Sequence, residues 1–218
     1  MDRLSKDQRA FPFEYNSNRE VQFYPAQPKE GHRLSGDILE VGPGLGHFIL
    51  ALAESNPDTR YVAIESQNKR FNRIAEKAAK LGAKNITVMK GYAQVLIPRW
   101  LRSGEFERVY VLFPDPWPKN RHASNRLLTP DFISTLACLL KVGGELFMAT
   151  DHAGYARWII DAASQVGSLT NTGDPFCRQA DVADYVPTIF EQKWRRAGKQ
   201  IAYMKFVRNG SNPSSECE

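Results

Sequence analysis

Leu39-Glu40-Val41-Gly42-Pro43-Gly44-Leu45-Gly46 closes the apolar run Ile38–Val41 and opens a helical pattern over His47–Ser55. Glycine takes up positive φ without steric cost, and its missing Cβ lets a ligand lie against bare backbone. Glycines at alternate positions between a strand and a helix therefore mark a turn suited to a nucleotide cofactor; a plain tight βα turn is the simpler alternative. The spacing is G-x-G-x-G rather than the dinucleotide pattern G-x-G-x-x-G, and Glu40 stands two residues before Gly42. Both features point away from NAD and towards S-adenosylmethionine. That molecule has no pyrophosphate to seat on a helix N-terminus, but it has an α-amino group that a carboxylate can receive.

Outward from this turn, strand-like and helix-like runs alternate. Tyr61–Glu65, Ile86–Lys90, Val109–Phe113 and Glu145–Thr150 read as strands, and Lys69–Leu81, Val95–Leu101, Pro130–Leu140 and Tyr155–Gln165 read as helices. Such alternation predicts an α/β fold with a mostly parallel sheet covered by helices on both faces. A final run, Gln200–Val207, follows the turn at Gly198 and fits an antiparallel closing strand. Residues 1–35 mix aromatic and polar groups without a sustained period and read as a weakly structured arm. The packed domain spans 36–208, and 209–218 reads as a flexible tail rich in turn residues. Glu65, 21 residues after Gly44 at the end of the second predicted strand, is placed to accept hydrogen bonds from ribose hydroxyls, or else is a solvated strand end.

The chain has 218 residues, 42% hydrophobic and 24% charged, which suits one soluble domain with a sizeable core. No apolar run approaches the roughly 20 residues needed to cross a bilayer, and the start Met1-Asp2-Arg3-Leu4-Ser5-Lys6 lacks the layout of a signal peptide, so a cytoplasmic protein without a membrane partner is expected. Three widely spaced cysteines suit neither a disulfide framework nor a CxxC zinc site, and the four histidines are scattered, so no metal is expected. The net charge of +5 is compatible with a polyanionic partner. Basic residues do cluster, at Lys119, Arg121 and Arg126 and again at Lys193, Arg195, Arg196 and Lys199. A monomer and a homodimer are both open, because exposed apolar patches are not visible in a sequence.

After the fourth predicted strand the chain reads Phe113-Pro114-Asp115-Pro116-Trp117-Pro118-Lys119-Asn120-Arg121-His122. Each proline fixes φ, removes an N–H donor and steers the preceding residue away from helix, so Asp115 and Trp117 are expected on a stiff, extended loop. Ligands of open α/β sheets bind beyond the carboxyl ends of the strands, where this loop lies. Asp115 can accept hydrogen bonds from the N1–H and amino group of a guanine, or it caps a local Asx turn at Trp117. Lys119 and Arg121 offer charge to phosphates, and Trp117 offers a face for a base or for packing.

The segment Phe113–Arg126 resembles the signature of the bacterial tRNA (guanine-N7)-methyltransferase family, in which F-P-D-P-W-x-K-x-R-H precedes further basic residues. The similarity extends over about residues 36–207, through Glu40–Gly46, Ile64-Glu65, Ala149-Thr150-Asp151 and Thr188-Ile189-Phe190-Glu191. The resemblance implies a Rossmann-like class I methyltransferase with a seven-stranded sheet. It implies S-adenosylmethionine held by Glu40, Gly42, Gly44, Gly46, Glu65, Tyr92 and Asp115, with Asp115 also at the catalytic centre. It also implies tRNA as the partner, with Lys119, Asp151 and Thr188–Glu191 holding the substrate and Arg121, His122 and Arg126 meeting the RNA. Tyr92 stands where the family has an acidic residue near the adenine, so recognition there would use backbone groups or stacking. Ile189 replaces the family's lysine, and the basic run after His122 is reduced to Ala123-Ser124-Asn125-Arg126.

Three other readings stay open on the sequence alone. They are a methyltransferase acting on a small molecule or protein, an NAD-dependent oxidoreductase, and an RNA-binding relative without catalysis. The glycine spacing opposes the oxidoreductase, and the Lys119–Arg126 loop has no explanation in the first.

Overall fold

The computed structural model describes residues 22–26, 28–29, 31–182 and 185–211. In chain order the elements are β1 (Gln22–Tyr24), β2 (Ile38–Val41), α1 (His47–Ser55), β3 (Tyr61–Glu65), α2 (Asn68–Leu81), β4 (Ile86–Lys90), α3 (Ala93–Trp100), β5 (Phe106–Leu112), α4 (Pro130–Leu139), β6 (Leu140–Thr150), α5 (Ala153–Ala163), β7 (Leu169–Asn171), α6 (Ile189–Arg196) and β8 (Ala202–Arg208). They build one sheet in the order β1-β4-β3-β2-β5-β6-β8-β7. The strands from β4 to β6 in that order run parallel, while β1, β8 and β7 join antiparallel.

Side chains alternate across each strand, and the two faces bury different partners. On one face Leu39, Val41, Val109 and Val111 pack with Leu96 and Ile97 of α3, Phe132 and Leu136 of α4, and Tyr155 and Ile159 of α5. On the other, Ile38, Ala63, Tyr110 and Phe147 pack with Phe48 and Leu52 of α1 and with Phe71 and Ile74 of α2. The expected parallel sheet with helices on both faces and an antiparallel closing strand is present. No helix among the described residues is long and apolar enough to cross a membrane.

The sheet has eight described strands rather than seven. Gln22–Tyr24 falls in the arm read as weakly structured, yet it pairs antiparallel with β4, and Phe23 packs edge-on against Trp100 with ring centroids 5.0 Å apart. Three residues are too few to display a period, which is why the pattern was silent. The aromatic residues Phe11, Phe13 and Tyr15 and the tail from 212 onward lie outside the described residues. Leu140 begins β6 instead of ending a helix, and β6 runs on through Gly143 and Gly144, ahead of the strand start expected at Glu145. At Gly144 a Cβ would meet the carbonyl oxygens of Lys141, Glu107 and Phe106 at 2.9–3.1 Å, so the strand crosses an irregularity that only glycine fits. Cys138 of α4 takes part in a disulfide that the cysteine spacing did not announce, and Cys177 is a free, half-buried thiol.

The strand order reverses between β2 and β5, which are direct neighbours with Val41 opposite Val111. The glycine turn leaves β2 and the proline-rich loop leaves β5, so both open on the crevice where ligands of such sheets bind.

Candidate active site

Glu40 lies inside the fold, 2% exposed, on a strand whose neighbours on that face are aromatic. Tyr110, opposite Glu40 on β5, stands edge-on to Phe48 at 4.8 Å and to Phe147 at 5.8 Å, and Tyr185 packs on Phe48 and Phe147 at 5.5 Å each. Burial in this ring-lined space pushes the Glu40 carboxyl up to about 8; the Ile49 amide opposes the shift and the neighbouring Glu65 adds to it. Among the described residues Glu40 Oε2 has no hydrogen-bond partner. A buried carboxylate oxygen without a donor is costly, and a primary ammonium supplies both the missing donor and the opposite charge.

Gly42, Gly44 and Gly46 all have φ between +60 and +74°. They differ in what surrounds them. At Gly42 and Gly44 a Cβ would point into open space, whereas at Gly46 it would meet Ile74 at 3.0 Å and Leu50 at 3.2 Å. The first two keep the approach to the backbone clear, and the third lets α1 sit close to α2. Glu65, 2% exposed, fixes the turn: its Oε2 accepts from the Gly44 N–H at 3.1 Å and its Oε1 from the Gln67 N–H at 2.8 Å. Burial raises its carboxyl above the ordinary range, and these backbone donors partly reverse that. Each oxygen retains a lone pair for a hydroxyl. Tyr92 stands at the start of α3, two strands from Glu40, with 38% of its surface exposed. The residues present therefore fit S-adenosylmethionine: an unpaired acid for the amino group, open glycines, and a partly used acid at the next strand end.

Asp115 is exposed on the loop after β5, and its Oδ1 accepts from the Trp117 N–H at 3.2 Å. The Asx turn is thus present, and it leaves Oδ2 and the remaining lone pairs for a ligand. The loop is less extended than its prolines imply. Phe113 has φ 53° and lies outside β5, and Trp117 has φ 40° although a proline follows. Lys119 and Arg121 are exposed; Arg121 Nε lies 3.3 Å from His122 Nε2, and His122 stands edge-on to Trp117 at 5.8 Å. Residues Asn120–Asn125 form a 3₁₀ turn.

Several residues expected to meet the substrate are engaged within the protein. Arg126 donates to the carbonyls of Pro116 and Trp117 at 3.1 and 3.4 Å. Asp151 accepts from Lys199, whose ammonium also lies 3.6 Å from the centre of the Trp194 ring. Thr188 caps α6 by accepting the Glu191 N–H at 3.0 Å. Glu191 is fully buried and turns inward, accepting from the hydroxyls of Tyr185 and Tyr203 and from Arg195 Nε at 2.8 Å. Of the second basic cluster, Lys193 and Arg196 stay exposed while Arg195 and Lys199 face carboxylates.

Helix α6 was missed in the sequence because its eight residues hold only three apolar ones; Phe190 and Trp194 stand one turn apart and pack edge-on at 5.4 Å, but a single such pair is too short a run to display a period. The signal that was there is Thr188-x-x-Glu191, an N-terminal capping pattern. Tyr185, Tyr155 and Trp158 were also missed, since single aromatic residues carry no mark of what they will touch.

Comparison with known proteins agrees with this geometry. A family model described as "Putative methyltransferase" matches residues 35–204. The chain is 33% identical over 181 residues to the tRNA (guanine-N(7)-)-methyltransferase of Syntrophotalea carbinolica, covering 83% of this chain and 76% of that protein. It is 34% identical over 174 residues to the enzyme of the same name from Neisseria meningitidis, covering 79% and 72%. Among solved structures, the 16S rRNA methyltransferase KamB superposes with a TM-score of 0.57 at 18% identity, covering 81% of this chain and 89% of that one. A SAM-dependent O-methyltransferase from Thermotoga maritima gives 0.52 at 13% identity, covering 83% and 62%. These two likenesses show the fold, and the sequence relatives show the rest: the chain belongs to the tRNA (guanine-N7)-methyltransferase family.

Proposed function

We propose that this protein transfers a methyl group from S-adenosylmethionine to N7 of a guanosine in tRNA, in the cytoplasm, with residues 36–208 as the methyltransferase domain. The observation that carries the reading is the pairing of two loops across the β2/β5 switch. One holds a buried, unpartnered Glu40 oxygen and open glycines, and the other presents Asp115 with free acceptor capacity. When bound, S-adenosylmethionine supplies a methyl group on a sulfonium.

The residues have a matching division of labour. Guanine N7 carries a lone pair and no proton, so no residue has to act as a base. Glu40 receives the amino end of the cofactor, Gly42 and Gly44 let it approach the backbone, Glu65 accepts from its ribose, and Tyr92 lies against its adenine. Asp115 accepts from the N1–H and amino group of guanine, which aims N7 towards the methyl group. It also offsets the positive charge that grows on the ring as N7 is alkylated. Orientation of this kind is worth on the order of 7–11 kcal/mol. Lys119 and Arg121 are placed for phosphates, and a guanosine out of its stack is the form the loop can reach.

The reading is tested by incubating the protein with labelled S-adenosylmethionine and unmodified tRNA and mapping the label by cleavage at 7-methylguanosine. Label at a single guanosine supports it. Cofactor binding without label on tRNA would favour a different acceptor.

A further inference from the structure

We propose that Arg126 is a positioning residue that clamps the Asp115 loop from behind, rather than a contact to RNA phosphate; this rests on the reading of Asp115 as the guanine-orienting carboxylate. The loop has a particular weakness. Pro114, Pro116 and Pro118 supply no N–H, so Pro114–Pro118 can donate only through Asp115 and Trp117. The Trp117 N–H already goes to Asp115. The Pro116 carbonyl inside that Asx turn and the Trp117 carbonyl at its end then take donors from outside the turn.

Arg126 supplies them. Its Nε donates to the Pro116 carbonyl at 3.1 Å and its Nη2 to the Trp117 carbonyl at 3.4 Å, a two-point grip that suits a planar guanidinium and not an ammonium. The guanidinium is seated on α5, with its carbon 4.7 Å from the centre of the Trp158 ring and 5.6 Å from that of Tyr155. Those rings are themselves fixed to the chain just after Arg126: Trp158 Nε1 donates to the Leu128 carbonyl at 3.0 Å, and the Leu128 N–H donates to the Tyr155 hydroxyl at 3.4 Å. Tyr155 is fully buried and Arg126 half-buried. The clamp therefore joins the loop to the core of the helix layer. It also holds Trp117 at a φ of 40° that a non-glycine residue before proline does not otherwise favour.

The two roles separate experimentally in Arg126→Ala and Arg126→Lys. The clamp predicts that both lose at least about tenfold in the single-turnover rate at saturating tRNA and cofactor, because a misplaced loop costs rate even when substrate is bound. It predicts that Arg126→Ala leaves the slope of log Kd for tRNA against log salt unchanged. A phosphate contact predicts the reverse: a slope reduced by about one, full rate at saturation, and near-normal behaviour of Arg126→Lys. That second pattern would overturn the proposal. A readout independent of activity comes from protein labelled with 5-fluorotryptophan, with the Trp117 signal identified by its absence in Trp117→Phe. The ¹⁹F resonance of Trp117 should shift or broaden in both variants without tRNA, while that of Trp100 in the core stays in place. An unchanged Trp117 resonance would overturn the clamp. If the unaltered protein methylates no tRNA, the proposed function fails, and the fluorine signal alone still decides whether Arg126 holds the loop. Trp158→Leu, which removes the seat without removing a charge, should reproduce the Trp117 shift should Arg126→Ala fail to fold.

Discussion

The Gly44 N–H donates to Glu65 Oε2 at 3.1 Å, so the acid at the end of β3 holds the glycine turn at the end of β2. One carboxylate thereby shapes the glycine turn and keeps lone pairs free, which the proposed function assigns to the ribose of the cofactor. Glu65→Ala should raise the dissociation constant for S-adenosylmethionine by on the order of ten- to a hundredfold, the loss expected for hydrogen bonds to a charged acceptor. Calorimetric titration checks this, and an unchanged constant would remove Glu65 from the cofactor.

The glycines should separate into two kinds. Gly46→Ala places a methyl group against Ile74 and Leu50 and forces a positive φ on a residue with a Cβ, so it should cost about 2 kcal/mol or more of stability whether or not cofactor is present. Gly44→Ala has open space and should cost only about 1–2 kcal/mol from its φ. Its larger effect should be on cofactor affinity. Thermal melts with and without cofactor distinguish the two, and equal effects would contradict the assignment of the open side to the ligand.

With Glu40 in its proposed role at the amino end of the cofactor, binding should be a proton-linked event. With its carboxyl raised to about 8, Glu40 is mostly protonated at pH 7; an ammonium brought beside Oε2 favours the ionised form, and the proton leaves. Because a free α-amino group near its ordinary pKa is largely protonated at that pH, most of one proton, roughly 0.8, should be released per cofactor bound. The sign follows from the raised value: the protonated form is stabilised below about 8, so affinity should rise with pH up to that point. Calorimetry in buffers of different ionisation enthalpy measures the release, and Glu40→Gln should abolish it while weakening binding. Proton uptake would contradict the arrangement.

Glu191 should act through structure. Glu191→Ala leaves the hydroxyls of Tyr185 and Tyr203 without their acceptor and Arg195 without its buried partner, so a loss on the order of 3 kcal/mol is expected. Denaturant unfolding checks it. A fully stable variant that fails only in tRNA binding would return Glu191 to the substrate.

How much of this was visible in the residues depends on whether a feature is local. The alternation around Glu40–Gly46 gave the parallel sheet, because glycine turns and period changes are properties of neighbouring residues. The positions of Glu65 and Asp115 at strand ends followed from the same pattern. What sequence could not display is where a side chain points once the chain has folded. Arg126 carries the charge expected of an RNA-facing group and Glu191 belongs to a segment that the resemblance assigns to the substrate, yet one turns to two loop carbonyls and the other to two tyrosines. The Asx turn at Asp115 and the role of a ligand-facing acid read in sequence as alternatives, and the structure allows both on different lone pairs of one carboxylate.

In the proposed function Asp115 orients guanine for methyl transfer at N7 and leaves cofactor affinity to other residues. Single-turnover transfer to unmodified tRNA, mapped at 7-methylguanosine, should be compared between the unaltered protein and Asp115→Ala, with the cofactor dissociation constant measured on the same samples. Methylation at one guanosine should fall by at least about a hundredfold in the variant, with cofactor affinity within about twofold of the original. Loss of cofactor affinity as large as the loss of transfer, or transfer that survives the substitution, would contradict it.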